Sequence, residues 1–233
     1  MAGPEDLLQQ FYDARADEEP QRDPEAEQRF RKAFDVAKLN AGERVLDVGA
    51  KWGGFGLHAR TRSMDIDYSG LELSECNVKR AAELGLDVQI ADATARLPVG
   101  SGSVDCVVCL ELLEHLVEPL TLLQEIRRVL RPSGRAVLSV PNPYSWVEIY
   151  REFRRRPDPE GHVNSYTTPV MQNLLALAGM RLETRAGTSV RVPLTRKLKS
   201  TDSILARSRI FVARPSERVT FSGREFVAPE SPA

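Results

Sequence analysis

The stretch RVLDVGAKWGGFG, residues Arg44–Gly56, decides the fold of this chain. Its first half is a short apolar run typical of a buried strand, and its second half is a glycine-rich turn. Because glycine has no side chain, such a turn lets the backbone approach a bound molecule closely. The stretch therefore predicts a strand that ends in a ligand-binding loop, although Lys51 stands where another glycine would be most natural.

Short β-branched runs and helix-like segments alternate along the chain after this loop. The predicted strands are Arg44–Val48, Asp67–Leu71, Val88–Ala91, Val104–Leu110 and Arg135–Val140, and the predicted helices are Gly54–Arg62, Ser74–Leu84 and Pro119–Leu130. Strands that alternate with helices at this spacing form a parallel sheet covered on both faces. We therefore expect an α/β fold with a doubly wound, mostly parallel Rossmann-like sheet and helices on both faces.

The pattern changes after Pro143. Helices are expected at Trp146–Phe153 and Thr168–Gly179, followed by strands at Met180–Ala186 and Arg209–Pro215 that suit an antiparallel terminal hairpin. The predicted organisation is an N-terminal helical arm or lid over residues 1–40, an α/β domain over 41–215 with a substrate cap at about 144–168, and a C-terminal tail over 216–233.

The composition excludes several classes of partner. Lysine and arginine total 32 against 33 acidic residues, and a net charge of −1 argues against nucleic acid or an anionic membrane as a partner. No apolar run approaches the roughly 20 residues of a membrane helix, and the acidic, polar start does not resemble a signal peptide. We therefore expect a cytoplasmic protein.

Cys106 and Cys109 form a CxxC pattern inside the apolar run VDCVVCL. Residues three apart in a strand point to opposite faces and cannot hold one metal ion together. We therefore expect both thiols to pack in the core, and we predict no metal site.

Acidic residues end three successive predicted strands. Asp47 ends the first, Glu72 the second and Asp92 the third. Since parallel strands bind ligands beyond their carboxyl ends, these side chains are expected to meet in one crevice. A carboxylate can accept hydrogen bonds from ribose hydroxyls or from the amine of adenine. The three together therefore indicate a nucleoside-containing cofactor.

The chain resembles the class I S-adenosylmethionine-dependent methyltransferases, particularly the small-molecule type 11 and ubiquinone-biosynthesis groups. The resemblance rests on LDVGAKWGG, GLELSE, ADATARLP, VDCVVCLELLEHL, LQEIRRVLRPSGRAVLSVPN and EGHVNSYTTPVMQNLLALAGM, in consistent order between about Phe30 and Pro215. It implies S-adenosyl-L-methionine as the cofactor. The cofactor-binding residues it implies are Asp47, Gly49, Ala50, Lys51, Gly53, Glu72, Leu73, Asp92, Ala93, Glu111 and Leu112.

Lys51 departs from the family pattern, which has glycine at this position. The backbone there could have a negative φ, where any residue fits, or a positive φ, where lysine costs on the order of 1 kcal/mol. We expect the negative φ, because the flanking motifs are intact.

The resemblance implies methyl transfer, which requires a base if the acceptor is a hydroxyl. His115, in ELLEHL, and His162, in GHVNSY, are the candidate catalytic residues, and both could face the methyl group from opposite sides of the cleft. A structural role as a helix cap remains open for His115. The expected acceptor is a small molecule, most readily through oxygen, with nitrogen and carbon acceptors open.

Other interpretations remain open at this stage. Arg151 and Arg154–Arg156 suit either an anionic group on the acceptor or a solvated helix face. A non-catalytic S-adenosylmethionine-binding or partner-regulating protein is the alternative function, and a nicotinamide enzyme is disfavoured because the loop lacks the phosphate-binding glycines. The oligomeric state is expected to be a monomer or a homodimer.

Overall fold

The computed structural model of this protein describes residues 23–188, 190–192, 195–198 and 204–229, with only the backbone described in the two short middle ranges. The helices are α1 Pro24–Ala37, α2 Gly54–Thr61, α3 Glu75–Glu83, α4 Pro119–Val129, α5 Trp146–Phe153 and α6 Thr168–Leu177, with a 3-10 turn at Leu113–His115. The strands are β1 Arg44–Val48, β2 Asp67–Glu72, β3 Val88–Ile90, β4 Val104–Leu110, β5 Leu130–Pro141, β6 Met180–Gly187, β7 Val190–Val192, β8 Thr195–Leu198, β9 Ser208–Pro215, β10 Arg218–Phe221 and β11 Arg224–Val227.

A seven-stranded sheet in the order β3-β2-β1-β4-β5-β9-β6 forms the centre of the molecule. The first five of these strands are parallel to one another, whereas β9 is antiparallel to both β5 and β6. The predicted α/β class, the doubly wound parallel sheet and the antiparallel hairpin are confirmed. The strand order reverses between β1 and β4. The crevice at this point lies beyond the ends of these two strands and of the neighbouring β2.

Two apolar clusters cover the two faces of the sheet. Cys109 lies in the cluster that includes α4 and α6, and Cys106 lies in the cluster beneath α1 and α2. Both cysteines are fully buried, and burial raises the pKa of the Cys106 thiol to about 12. The prediction that these residues pack on opposite faces is confirmed.

Helix α1 docks on the sheet next to α2. Asp23 caps its first turn by accepting from the backbone N–H of Glu25, and Ala33, Phe34 and Ala37 are buried beneath it. The described part of the N-terminal arm predicted over residues 1–40 is thus helical. Residues 1–22 of that arm lie outside the described residues.

The segment after Pro215 forms a hairpin of β10 and β11 that packs near α6. Val219 is buried, and the Asn173 side chain accepts a hydrogen bond from the backbone N–H of Ser222. The described part of the predicted C-terminal tail thus forms an additional hairpin.

Strand β5 is longer than predicted. It begins at Leu130, which pairs with Val104, whereas Arg135 pairs with Cys106. The register shift between these pairs accommodates Pro132, Ser133 and Gly134, which precede the predicted strand start at Arg135. These residues form an irregular first part of the strand.

The helices described here include none that is both long and apolar enough to cross a membrane.

Candidate active site

The loop between β1 and α2 follows the strand directly. Gly49 and Gly53 have φ angles of +74° and +83°, which favour glycine. A Cβ atom on Gly49 would lie 2.9 Å from Leu112 Cδ2, and one on Gly53 would lie 2.3 Å from Leu86 Cδ1. The glycines are therefore required by both conformation and space, and they bring the loop into contact with the segment after β4.

Lys51 has a φ of +50°, so the expectation of a negative φ was wrong. Its backbone N–H donates to Glu72 Oε2 at 2.9 Å, which holds the loop against the end of β2. A lysine in this conformation costs about 1–2 kcal/mol. The surrounding hydrogen bonds must offset that cost, and the lysine side chain remains exposed.

Asp47 is buried at the end of β1. Its Oδ2 accepts a hydrogen bond from the Tyr68 hydroxyl at 2.9 Å. Burial raises the pKa of Asp47 to about 7; the Tyr68 hydrogen bond opposes this rise and the nearby Glu72 carboxylate adds to it. The electrostatic effect of Glu72 shows that the first two acidic strand ends are neighbours.

Glu72 is held by backbone amides from both sides. One carboxylate oxygen accepts from Lys51 and the other from the Ser74 N–H at 3.0 Å. A carboxylate oriented in this way has further lone pairs for neutral donors such as ribose hydroxyls. Leu73, which follows it, is exposed.

Asp92 and Ala93 follow the end of β3. The Asp92 side chain is exposed and accepts hydrogen bonds from the backbone N–H and the hydroxyl of Thr94. Ala93 packs against the main core cluster. Their predicted contact with adenine stays a prediction, and the Thr94 bonds show how the loop after β3 is ordered.

Glu111 lies directly after β4 with a φ of +53°. Its carboxylate accepts from the Ser139 hydroxyl at 2.8 Å and forms an ion pair with Arg29 of α1 at 3.7 Å. Leu112 fills the space left by Gly49. These contacts place both predicted residues at the crevice end of β4, and their role toward the cofactor stays a prediction.

The fold brings the two candidate catalytic histidines together. The rings of His115 and His162 lie with their centroids 4.8 Å apart. Each Nε2 atom faces the same buried carboxylate oxygen, Glu114 Oε1, at 4.0 Å from His115 and 3.9 Å from His162. The expectation that they lie on opposite sides of the cleft was therefore wrong, because the two rings form one cluster with Glu114; their catalytic role stays a prediction.

Each histidine has a second partner on the cap side. The Nδ1 atom of His162 lies 2.7 Å from Asp158 Oδ2, and the His115 ring donates a hydrogen bond to the Gly161 backbone. Burial, together with the nearby charges of His162 and Lys51, lowers the pKa of His115 to about 4. His115 is therefore neutral at physiological pH.

The cap segment is fastened to the residues after β4 by several hydrogen bonds. The backbone N–H groups of Val163 and Asn164 donate to the Glu114 carbonyl, and the Tyr166 hydroxyl donates to the Leu113 carbonyl. This attachment explains how His162 reaches His115 from a distant part of the sequence.

The cofactor loop and the histidine cluster are adjacent. The positive charge of Lys51 acts on both Glu114 and His115, and Gly49 touches Leu112. One end of a molecule bound by the loop would thus lie near the histidine cluster. The carboxylates at the β1 and β2 ends and the open glycine backbone fit the ribose and methionine parts of S-adenosylmethionine.

Four residues of this site were not identified from the sequence. They are Glu114, Asp158, Arg29 and Tyr68. Only Glu114 had a local signal, since it precedes His115 and lies one helical turn after Glu111. The other three act through contacts between separate segments.

The arginines of the cap are partly engaged. Arg151 forms ion pairs with Glu148 at 2.8 Å and with Asp158 at 3.4 Å, and Arg154 lies over the Tyr150 ring. Arg151 therefore positions the carboxylate that holds His162. An anion-binding role for the remaining arginines stays a prediction.

Comparison with known proteins gives a consistent result. The profile of a family described as "Methyltransferase domain" matches residues 19–184. A ubiquinone biosynthesis O-methyltransferase from Xanthomonas oryzae pv. oryzae is 28% identical over 195 residues, which cover 78% of this chain and 80% of that protein. A 27-O-demethylrifamycin SV methyltransferase from Amycolatopsis mediterranei is 32% identical over 116 residues, covering 45% of this chain and 42% of that protein.

Among solved structures, a SAM-dependent methyltransferase from Thermotoga maritima superposes with a TM-score of 0.64 at 18% identity. The match covers 82% of this chain and 92% of that one, and at this identity it supports the fold alone. The family match spans well over half of the chain and includes the loop, the acidic strand ends and Glu114. The chain therefore belongs to the methyltransferase-domain family, and S-adenosyl-L-methionine is its cofactor.

Proposed function

We propose that this methyltransferase transfers the methyl group to a hydroxyl oxygen of a small molecule, with the cluster of Glu114, His115 and His162 activating that hydroxyl. The observation that supports the proposal is the closeness of the cofactor loop to this cluster: Gly49 packs against Leu112, two residues before Glu114, and the charge of Lys51 acts on Glu114 and His115. A hydroxyl placed at the histidines would lie next to the cofactor loop.

The chemistry matches the groups present. S-adenosylmethionine, when bound, supplies an activated methyl sulfonium. Methyl transfer forms one O–C bond, breaks one C–S bond, leaves the electron pair on sulfur and releases the hydroxyl proton. The protein must therefore orient the acceptor, exclude water and assist removal of that proton.

His162 is the better-oriented histidine for this task. Its Nδ1 atom is held by Asp158 at 2.7 Å, which directs Nε2 into the cluster. An imidazole oriented by a carboxylate is a recurring arrangement for groups that take up a proton. His115, whose low pKa disfavours proton uptake, serves in this proposal as a neutral neighbour that positions the acceptor.

The acceptor class is supported by two independent lines. The relatives named above methylate oxygen in ubiquinone biosynthesis or act on a demethylrifamycin, by their names. The near-zero net charge does not favour a nucleic acid acceptor. We place the acceptor under the cap at about residues 144–168, because this segment supplies Asp158 and His162.

Titration with S-adenosylhomocysteine and a methyl-transfer assay test the proposal together. We expect micromolar binding of S-adenosylhomocysteine, no binding of NADH, and transfer of labelled methyl to phenolic or other hydroxylated small molecules but not to their O-methylated forms. Methylation of amines with no methylation of hydroxyls would overturn the oxygen assignment. Cofactor binding without transfer to any acceptor would favour the non-catalytic alternative.

A further inference from the structure

Three potential metal ligands converge in the histidine cluster. Glu114, His115 and His162 each offer one donor atom, and these atoms all lie within 4.8 Å of one another. A tetrahedral ion with bonds of about 2.0–2.2 Å keeps its ligands about 3.4 Å apart. Side-chain movements of about 1 Å would therefore bring the three atoms around one ion.

The Glu114 carboxylate points to a ligand independently of this spacing. Its side chain is 2% exposed, and within the described part of the chain neither oxygen has a hydrogen-bond partner. Leaving a buried carboxylate without partners is costly, so such groups are normally paired with a cation or bound to a metal. The neighbouring Arg29 pairs with Glu111, and Lys51 is largely exposed to solvent.

Both histidines have the support that metal-binding histidines usually have. A ligating imidazole normally donates its other ring N–H to a carboxylate or a backbone carbonyl, which fixes the ring and its tautomer. His162 has Asp158 as this partner and His115 has the Gly161 carbonyl. The nitrogen atoms named Nε2 are thereby left facing Glu114.

We propose that Glu114, His115 and His162 bind a divalent transition-metal ion, such as zinc, that holds and acidifies the acceptor hydroxyl. Two imidazoles and one carboxylate form a ligand set known from catalytic zinc sites that keep a position open for water or substrate. The inference rests on the proposed function, because it assigns the activating role to the same cluster. It replaces the sequence-based prediction that the chain has no metal site.

The ion would perform the step assigned to the histidines. Coordination to a divalent cation lowers the pKa of a bound hydroxyl by stabilising the oxyanion, as it does for bound water. The hydroxyl proton would then leave to solvent, and the oxygen could attack the methyl carbon while the electron pair of the C–S bond goes to sulfur. His115 and His162 would be neutral ligands, and the ion would take over the activating role that the proposed function gives to His162.

Metal binding can be measured without any acceptor. The protein, stripped with EDTA and carrying Cys76→Ser to remove the exposed free thiol, is titrated with zinc in a calorimeter and analysed for metal content. We expect one zinc ion per chain, and at least a 100-fold loss of zinc affinity in both Glu114→Gln and His162→Ala. Asp158→Asn should weaken binding about 10- to 100-fold, as expected for a residue that orients a ligand.

His58→Gln is the matched control, because His58 lies on α2 against Phe34, away from the cluster, and should leave zinc affinity unchanged. Titration of the same stripped samples with S-adenosylhomocysteine shows whether each variant is folded. Absence of stoichiometric zinc binding, or equal affinity in Glu114→Gln, with S-adenosylhomocysteine binding intact, would overturn the metal proposal and leave the methyltransferase function standing. Zinc binding without S-adenosylhomocysteine binding would instead count against the proposed function.

Discussion

The two sides of the cleft differ in how completely their polar groups are satisfied. On the cofactor side, Glu72 is bound by two backbone amides and Asp47 by the Tyr68 hydroxyl. On the acceptor side, neither oxygen of the buried Glu114 carboxylate has a hydrogen-bond partner among the described residues. The cofactor side is thus preorganised by the protein itself, whereas the acceptor side is completed only by what it binds.

The same contrast is visible in how the two sides are built. The cofactor side comes from consecutive elements, β1 to β3, and from a loop whose glycines have positive φ angles. The acceptor side joins the 3-10 turn after β4 to the cap segment that carries His162. The first side is therefore built from segments that follow one another in the chain, and the second from segments that lie far apart in it. Each prediction below tests this division.

The largest effect is expected from His162→Ala. Loss of the oriented imidazole should lower kcat by about 100- to 10,000-fold, because it removes a group that activates the acceptor. S-adenosylhomocysteine affinity should stay within about threefold, since the residue lies on the acceptor side. Steady-state kinetics and calorimetry measure the two quantities, with His58→Ala as the control. Loss of cofactor binding in His162→Ala would show that His162 also supports the cofactor side, and the two sides would then not be separate.

Glu72→Ala tests the cofactor side. Its carboxylate holds the Lys51 and Ser74 amides, and hydrogen bonds to a charged group contribute about 1.5–3 kcal/mol. We expect S-adenosylhomocysteine to bind about 10- to 100-fold more weakly in calorimetry. Glu75→Ala is the matched control, because Glu75 is exposed on α3 and forms a surface ion pair with Lys79. An unchanged affinity in Glu72→Ala would remove this residue from the cofactor site.

Asp47→Asn should change how stability depends on pH. The pKa of Asp47 is raised from 3.8 to about 7. Between about pH 4 and pH 7, the folded protein therefore retains a proton that the unfolded chain has already lost. Stability from this group is therefore full below pH 4 and decreases as the pH rises toward 7. Between pH 5 and pH 8, the unmodified protein should lose at least about 2–4 °C more in Tm than Asp47→Asn. Equal pH dependence of the two proteins in thermal unfolding would show that burial of this carboxyl carries no such cost.

Lys51→Gly is expected to give the smallest effect. Glycine relieves the positive φ of +50°, a gain of about 1 kcal/mol that should raise Tm by about 2–4 °C. Lys79→Gly, in the middle of α3, should have the opposite sign because glycine destabilises a helix interior by about 1 kcal/mol. A lower Tm for Lys51→Gly, measured by thermal unfolding, would mean that contacts of the lysine side chain outweigh the backbone strain.

The sequence-based predictions were accurate where the interactions are local and less accurate where they join residues far apart in the chain. Helix α3 begins after Ser74, whose hydroxyl accepts from the Asn77 amide, as predicted from one capping residue. Helix α6 begins at Thr168, where the sequence predicted its start, and the preceding Thr167 caps it. The conformation of Lys51 was predicted wrongly, since it depends on Glu72, a residue of the neighbouring strand.

The sequence by itself determined the alternation of strands and helices, the parallel sheet, the opposite burial of Cys106 and Cys109, and the set of acidic strand ends. These features follow from side-chain periodicity and from turn residues, which act over a few positions. Only the tertiary structure decided that β9 lies between β5 and β6 and that His162 meets His115 at Glu114. Such contacts depend on how distant segments share buried space, and no local pattern encodes which of them will meet.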